Sequence, residues 1–211
     1  METLLNEGLE KLGIELDDRQ RRQLALYRQE LELWNGKYGL VNAAGDELTV
    51  KHFLDSLSAV PHVRKMNFAS ACDVGSGGGF PGMVMAIVFP DRKFSLIERS
   101  GRKSAFLANT AVMINAPNVE VISRDAGLVK EKYDIVFFRA LGKFHEYFPT
   151  LYNLAAPGGS LFAFKGKRTE AEKEIAMLPE EIRKYAAVIG AEVPFLEDER
   201  NFVRIEKRGA L

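Results

Sequence analysis

Cysteine and histidine are scarce in this chain, with one of the first and three of the second in 211 residues. A lone Cys72 excludes an internal disulfide and a thiolate zinc cage, and His52, His62 and His145 are too scattered for metal-ligand spacing, so no metal is expected. Charge of one sign is also missing: 29 Lys and Arg offset 29 Asp and Glu, which means that contact with a polyanion has to come from a local patch. Long apolar runs are absent. Stretches such as 83–89 are too short to cross a bilayer, and the acid-bearing first turn from Glu2 resembles neither a signal nor a transit peptide. Together these absences predict a cytoplasmic protein with no membrane partner. They leave the oligomeric state open, because no heptad run or apolar surface stripe stands out.

What is present is a 46% apolar chain, enough for one good core with a modest extension. From Asp17 or Asp18, either of which suits an N-cap, Leu24, Tyr27, Leu31 and Trp34 fall at helical spacing; this stripe is expected to pack against the rest of the chain. Gly36, Gly39 and Gly45 break that pattern, and a second helix is expected over about 47–60, closed by Pro61. Beyond about residue 67, short Val-, Ile- and Phe-rich runs alternate with helical stretches, the signature of a parallel sheet. Strands are expected at about 70–74, 93–98, 119–123, 133–138 and 160–165, and a helix at about 169–177. Runs at about 185–193 and 202–207 then form an antiparallel pair at the sheet edge, for seven strands in all. The expected organisation is a helical N-terminal extension, 1–66, followed by an α/β domain, 67–211.

The sharpest motif is Asp73-Val74-Gly75-Ser76-Gly77-Gly78-Gly79-Phe80-Pro81-Gly82, where the first strand gives way to a helix with Pro81 near its start. Gly77, Gly79 and Gly82 satisfy the dinucleotide spacing, which would hold a pyrophosphate on the helix N-terminus. Asp73 argues otherwise, because a carboxylate at the mouth of the loop repels phosphate but suits an amino group and a sulfonium. Glu98, at the end of the second strand, is placed to accept both hydroxyls of a ribose. Asp125, just after the third strand, is placed either to meet an adenine amino group or to cap a helix.

Residues 73–82 resemble the glycine loop of the RsmG family, also called glucose-inhibited division protein B, with the Phe-Pro-Gly ending its most specific part. The likeness continues through Trp34-Asn35 with Tyr38, His52 to Leu57, Leu96-Ile97-Glu98, Lys103, Phe106-Leu107, Arg139-Ala140, Lys165-Gly166 and Glu199-Arg200. It implies a class I S-adenosylmethionine-dependent methyltransferase fold, Rossmann-like, with S-adenosylmethionine as donor. The implied acceptor is N7 of one guanosine in 16S rRNA of the small ribosomal subunit. It implies cofactor contacts from Asp73, Gly75, Ser76, Gly77, Gly79, Phe80, Glu98, Arg124, Asp125, Ala126 and Arg139. Two places depart from the family: Tyr38-Gly39-Leu40-Val41 replaces Tyr-Asn-Leu-Thr, and Arg124-Asp125-Ala126 replaces Arg-Ala-Glu.

Guanine N7 has a free lone pair, so transfer to it needs no general base, and alignment of the reactants does most of the work. In keeping with this, the fourth strand runs into Phe138-Arg139-Ala140-Leu141 and lacks the Asp/Asn-Pro-Pro-aromatic motif of amino-group methyltransferases. Pyrimidine C5 chemistry needs a thiol nucleophile, whereas Cys72 lies inside a strand and reads as core. Arg139, at the end of a central strand, is the expected catalytic positioning residue, its guanidinium contacting guanine O6 or a phosphate, with pairing to a carboxylate as the alternative. Lys165, Lys167 and Arg168, joined by Arg99, Arg102 and Lys103, form the expected phosphate-binding patch. His52, Asp55 and Ser56 share one helical face but do not make a triad, whose members come from separate elements; a cap or a contact with the sheet domain is expected instead. Two rival readings stay open at this stage, a nicotinamide-dependent oxidoreductase and a non-catalytic rRNA-binding assembly factor.

Overall fold

The computed structural model describes residues 2–142 and 144–208. The chain opens with helices α1 (Glu2–Lys11) and α2 (Asp18–Tyr38). A capping box starts α2: the Asp17 carboxylate accepts from the Gln20 N–H at 2.7 Å, and the Gln20 side chain accepts from the Asp17 N–H at 3.0 Å. Gly39 stops it, in the left-handed region at φ 57°, with its N–H bonded to the Asn35 carbonyl at 2.8 Å. Gly36, expected as a breaker, lies within the helix, because a glycine there costs only about 1 kcal/mol and burial of Leu24, Tyr27 and Leu31 outweighs it. Helix α1 was not legible as such; it is held by close packing, since a Cβ on Gly8 would stand 2.4 Å from Leu54 Cδ2.

The helix expected over 47–60 is built in three pieces, α3 (Gly45–Leu48), a π-helical stretch Thr49–Leu54, and α4 (Asp55–Leu57). Pro61 does not close it. It sits in the first turn of α5 (Val60–Val63), where a missing N–H removes no helical bond.

The sheet domain runs β1 (Ser70–Val74), α6 (Gly82–Val88), β2 (Lys93–Ile97), α7 (Gly101–Met113), β3 (Val119–Ile122), a 3-10 turn Ala126–Leu128 and β4 (Tyr133–Arg139). It continues with α8 (Phe144–Leu154), β5 (Ala155–Lys165), α9 (Arg168–Ala176), α10 (Glu180–Arg183), β6 (Ala186–Ala191) and β7 (Arg200–Glu206). Strand order is β3-β2-β1-β4-β5-β7-β6; the first five strands are parallel, and β7 is antiparallel to both neighbours. The seven strands and the antiparallel edge pair match the sequence expectation.

Successive side chains alternate between the two faces, as the strand period of two requires. On β4, Ile135 and Phe137 join the core shared with α2, α6 and α7, while Val136 and Phe138 join the core under α8. Apolar residues of α1 to α5, including Leu9, Tyr27, Leu54 and Val63, belong to the first of these cores. The chain steps outward from β1 to β2 and β3, then returns to β4 on the other side of β1. This leaves a topological switch point between the carboxyl ends of β1 and β4.

Candidate functional site

The loop after β1 is folded inward on its own donors. The N–H groups of Gly75 and Ser76 both bond the Ile97 carbonyl, at 2.9 and 3.2 Å, and Gly79 N–H bonds the Ser76 carbonyl at 2.6 Å. Gly77 N–H reaches Glu98 Oε2 at 2.9 Å, and Gly82 N–H, at the start of α6, reaches Asp73 Oδ2 at 3.0 Å. A pyrophosphate would have to displace these bonds and approach two carboxylates. The loop is therefore not a dinucleotide cradle, despite its glycine spacing.

Two glycines are required by geometry. At Gly79, φ is 102° and a Cβ would meet the Tyr27 hydroxyl at 2.6 Å; at Gly82 a Cβ would lie 2.4 Å from Leu96 Cδ2 and 2.6 Å from Asp73 Cβ. Tyr27 donates to the Gly78 carbonyl at 2.6 Å, so the N-terminal helix α2 braces the loop directly. The Ser76 hydroxyl donates to the Asp73 carbonyl at 2.8 Å, and Phe80 is buried between the Tyr27, His52 and Phe53 rings. Ser76 and Phe80 shape the loop from behind and do not line the adjoining cleft.

Outside the loop lies a cleft of about 450 Å³ at the carboxyl ends of β1, β2 and β3. Of the residues expected at the cofactor, Gly75, Glu98, Arg124, Asp125 and Ala126 line it, together with Arg99 and Lys103. Glu98 is buried and accepts one backbone N–H on each oxygen, from Gly77 at 2.9 Å and from Ser100 at 2.7 Å. Each oxygen keeps a further lone pair for a ligand hydroxyl. Asp125 caps the 3-10 turn, with Oδ1 accepting from Gly127 N–H at 2.8 Å, which realises the capping alternative.

Asp73 does not stand at the mouth of the loop, contrary to the sequence reading. Strand alternation turns it, like Ala71, to the face covered by α6, where it is 1% exposed beneath the glycines. Burial raises its carboxyl to about 7, against the opposing pull of the Gly82 N–H and Arg139. Its Oδ1 is buried and has no hydrogen-bond partner among the described residues. A buried, partnerless carboxylate oxygen is costly, and positive charge bound beyond the loop lowers that cost. This orphan, with Glu98, fits a ligand that carries an ammonium and a ribose.

Arg139 is not a free guanidinium facing the acceptor. The π-helical stretch and α4 present a set of acceptors to it: Nη1 donates to the Lys51 carbonyl at 3.0 Å and to Asp55 Oδ2 at 2.9 Å, and Nη2 donates to His52 Nδ1 at 2.5 Å. Arg200, 145 residues from Asp55 in sequence, donates from Nε to Asp55 Oδ1 at 3.2 Å. Burial, then Arg139 and Lys51, lowers His52 to about 3, so it is a neutral acceptor with its proton on Nε2. Ser56 Oγ bonds neither residue, in keeping with the rejection of a triad. The carboxylate pairing weighed for Arg139 is thus what the fold adopts. Arg200 was the member that residue-by-residue reading missed, because nothing local links it to Asp55.

The expected phosphate patch is partly neutralised. Lys165 pairs with Glu174 at 2.5 Å and lies 5.0 Å from the Phe144 ring centroid; Arg168 pairs with Glu172 at 2.8 Å; Lys167 stays exposed at the start of α9. Cys72 is fully buried and its thiol is raised by burial, as a core residue should be.

Comparison with known proteins places the chain among recognisable relatives. Residues 20–203 match the family described as rRNA small subunit methyltransferase G. Ribosomal RNA small subunit methyltransferase G of Burkholderia multivorans is 37% identical over 97% of this chain and 92% of its own length; that of Burkholderia thailandensis is 36% identical over 98% and 91%. Among solved structures, a putative class I S-adenosylmethionine-dependent methyltransferase from Listeria monocytogenes superposes with a TM-score of 0.61 at 12% identity, over 89% of this chain and 69% of that one. Magnesium protoporphyrin IX methyltransferase from Synechocystis, solved with S-adenosylmethionine bound, gives 0.56 at 15% identity, over 92% and 98%. At such identities these two structures speak to the fold alone, a class I methyltransferase fold.

Proposed function

The chain belongs to the rRNA small subunit methyltransferase G family, and on that premise we propose that it transfers a methyl group from S-adenosylmethionine to N7 of a guanosine in 16S rRNA of the small ribosomal subunit. The observation that carries the reading is the pairing of Glu98, open to the cleft, with the partnerless buried oxygen of Asp73 behind an inward-bonded glycine loop. S-adenosylmethionine, when bound, supplies a methyl group activated on a sulfonium. Glu98 accepts the ribose hydroxyls, Asp73 acts on the ammonium through its charge from beneath the glycine loop and not by contact, and Asp125 and Ala126 border the adenine.

N7 carries no proton, so no residue is asked to remove one. The chain's task is alignment and exclusion of water. Arg139 serves as a positioning residue: three of its five N–H donors are committed to Lys51, His52 and Asp55, and it holds the β4 end against the π-helical stretch. Lys167, with Arg99 and Lys103 at the cleft rim, meets rRNA phosphates. The two rivals lose their support. A nicotinamide dinucleotide conflicts with the bonded loop donors, and a non-catalytic assembly factor has no use for the cleft.

The test is transfer of a labelled methyl group to unmodified small subunits and to their naked rRNA, with N7-methylguanosine mapped by its chain cleavage. One labelled guanosine is expected. No incorporation into either substrate, with S-adenosylhomocysteine still bound, would overturn the acceptor while leaving the cofactor site standing.

A further inference from the structure

We propose that Tyr147 is the stacking platform for the acceptor guanine, a reading that rests on the proposed methyl transfer. The cofactor residues lie to one side of the switch point, with Glu98 after β2 and Asp125 after β3. The acceptor therefore approaches from the other side, over the carboxyl end of β4. There the backbone takes two left-handed residues, Ala140 at φ 55° and Gly142 at φ 42°. Such a conformation is costly for alanine and persists where the surrounding structure imposes it, often at functional sites.

Its effect is to lean the start of α8 over the cleft. A Cβ on Gly75 would lie 2.8 Å from Leu141 Cδ2, and one on Gly142 would lie 3.7 Å from Tyr147 Cε2. Leu141 thus sits on the glycine loop at the β1 end, and Tyr147 stands beside it at the rim.

Among the described residues, Tyr147 is the one aromatic side chain lining the cleft, and the one exposed large apolar residue that borders it. Its neighbours in α8 behave differently. Phe144 and Phe148 are buried and packed ring on ring with Phe138 and Tyr152. Tyr147 is 43% exposed and takes part in none of the ring contacts among the described residues. A base withdrawn from its stack needs a flat apolar surface to replace the one it leaves. This chain lacks the proline-proline-aromatic motif that carries such a ring after the fourth strand, and Tyr147 supplies one from the following helix.

Two measurements test this. In protein saturated with S-adenosylhomocysteine, guanosine 5′-monophosphate is titrated while the Tyr147 ring resonances, assigned by their loss in Tyr147→Leu, are followed. An upfield ring-current shift is expected, and an unmoved ring overturns the proposal whether or not the chain methylates rRNA. In steady-state transfer, Tyr147→Ala is expected to raise KM for the small subunit about tenfold, the scale of one lost base stack, with S-adenosylhomocysteine affinity unchanged. Tyr147→Phe should restore KM, since the ring and not the hydroxyl does the work. Loss of S-adenosylhomocysteine affinity at constant KM would assign the ring to the cofactor adenine and overturn the proposal.

Discussion

Two groups of polar side chains border the carboxyl ends of the parallel strands, and they are bonded differently. In the cleft, Glu98 is held by main-chain N–H groups of Gly77 and Ser100 and faces open space. Two strands over, at the end of β4, Arg139, Asp55, Arg200 and His52 are satisfied mainly by one another, across 84 and 145 residues of sequence. A carboxylate fixed by backbone keeps its position and its spare lone pairs when a ligand comes or goes. A charge fixed by other side chains has committed its bonding capacity to holding elements together. The first arrangement suits recognition and the second suits architecture.

Three substitutions break or sharpen this contrast. The largest effect belongs to Asp55→Ala, which leaves two arginines facing each other where a buried carboxylate had joined them. Loss of one partner from a buried ionic cluster costs about 3 kcal/mol, read as a lower urea midpoint at constant slope. S-adenosylhomocysteine affinity of the folded fraction should stay within about twofold, since a purely architectural role touches no cofactor bond. An unchanged midpoint would dissolve the distinction between the two groups.

Glu98→Ala should do the converse. Hydrogen bonds to a charged group are worth about 1.5–3 kcal/mol, so cofactor affinity should fall about tenfold to a hundredfold in a calorimetric titration. The urea midpoint should move less than for Asp55→Ala. A larger stability loss than affinity loss would make Glu98 a loop fastener first.

The smallest effect separates Asp73 from both groups. Its carboxyl is raised to about 7 from 3.8 by burial, so the folded chain holds a proton that the unfolded chain releases. Stability from this group is therefore complete below about pH 4, falls as pH rises toward 7, and is level above that. Asp73→Asn removes the dependence, and its Tm relative to the parent should be a few degrees (roughly 2–4 °C per kcal/mol) higher at pH 8 than at pH 5. The same variant should bind S-adenosylhomocysteine more weakly at pH 8. A Tm difference independent of pH would mean that Asp73 is ionised in the unliganded fold.

Much of the fold was legible because its signals are local and periodic. Alternating strands, the glycine loop and the acid ending β2 all come from spacing, and β1 was read at its observed bounds, Ser70–Val74. Alternation also held the direction of Asp73, since Ala71 and Asp73 share a face and Cys72 and Val74 share the other; the sequence reading placed the residue correctly but left its side chain at the loop mouth. Gly36 and Pro61 depart from the expectation for different reasons: Gly36 carries a modest penalty that packing of Leu31 into the core outweighs, whereas Pro61 falls in the first turn of a new helix, where it carries none. The π-helical geometry of Thr49–Leu54 has no counterpart in residue spacing, yet it brings Lys51 and His52 to Arg139.

By itself the sequence determined the class of the molecule: an α/β sheet domain with a cofactor loop, an acid at the end of β2, and motifs that place it in its family. Each of these depends on residues within a few positions of one another, where covalent geometry and the helix and strand periods leave little freedom. Tertiary structure alone decided which charges are spent and which are free. Whether Arg139 greets a substrate or a carboxylate, and whether Tyr147 is core or platform, depends on what the fold brings to within about 4 Å, because the energies that settle such roles act through contact.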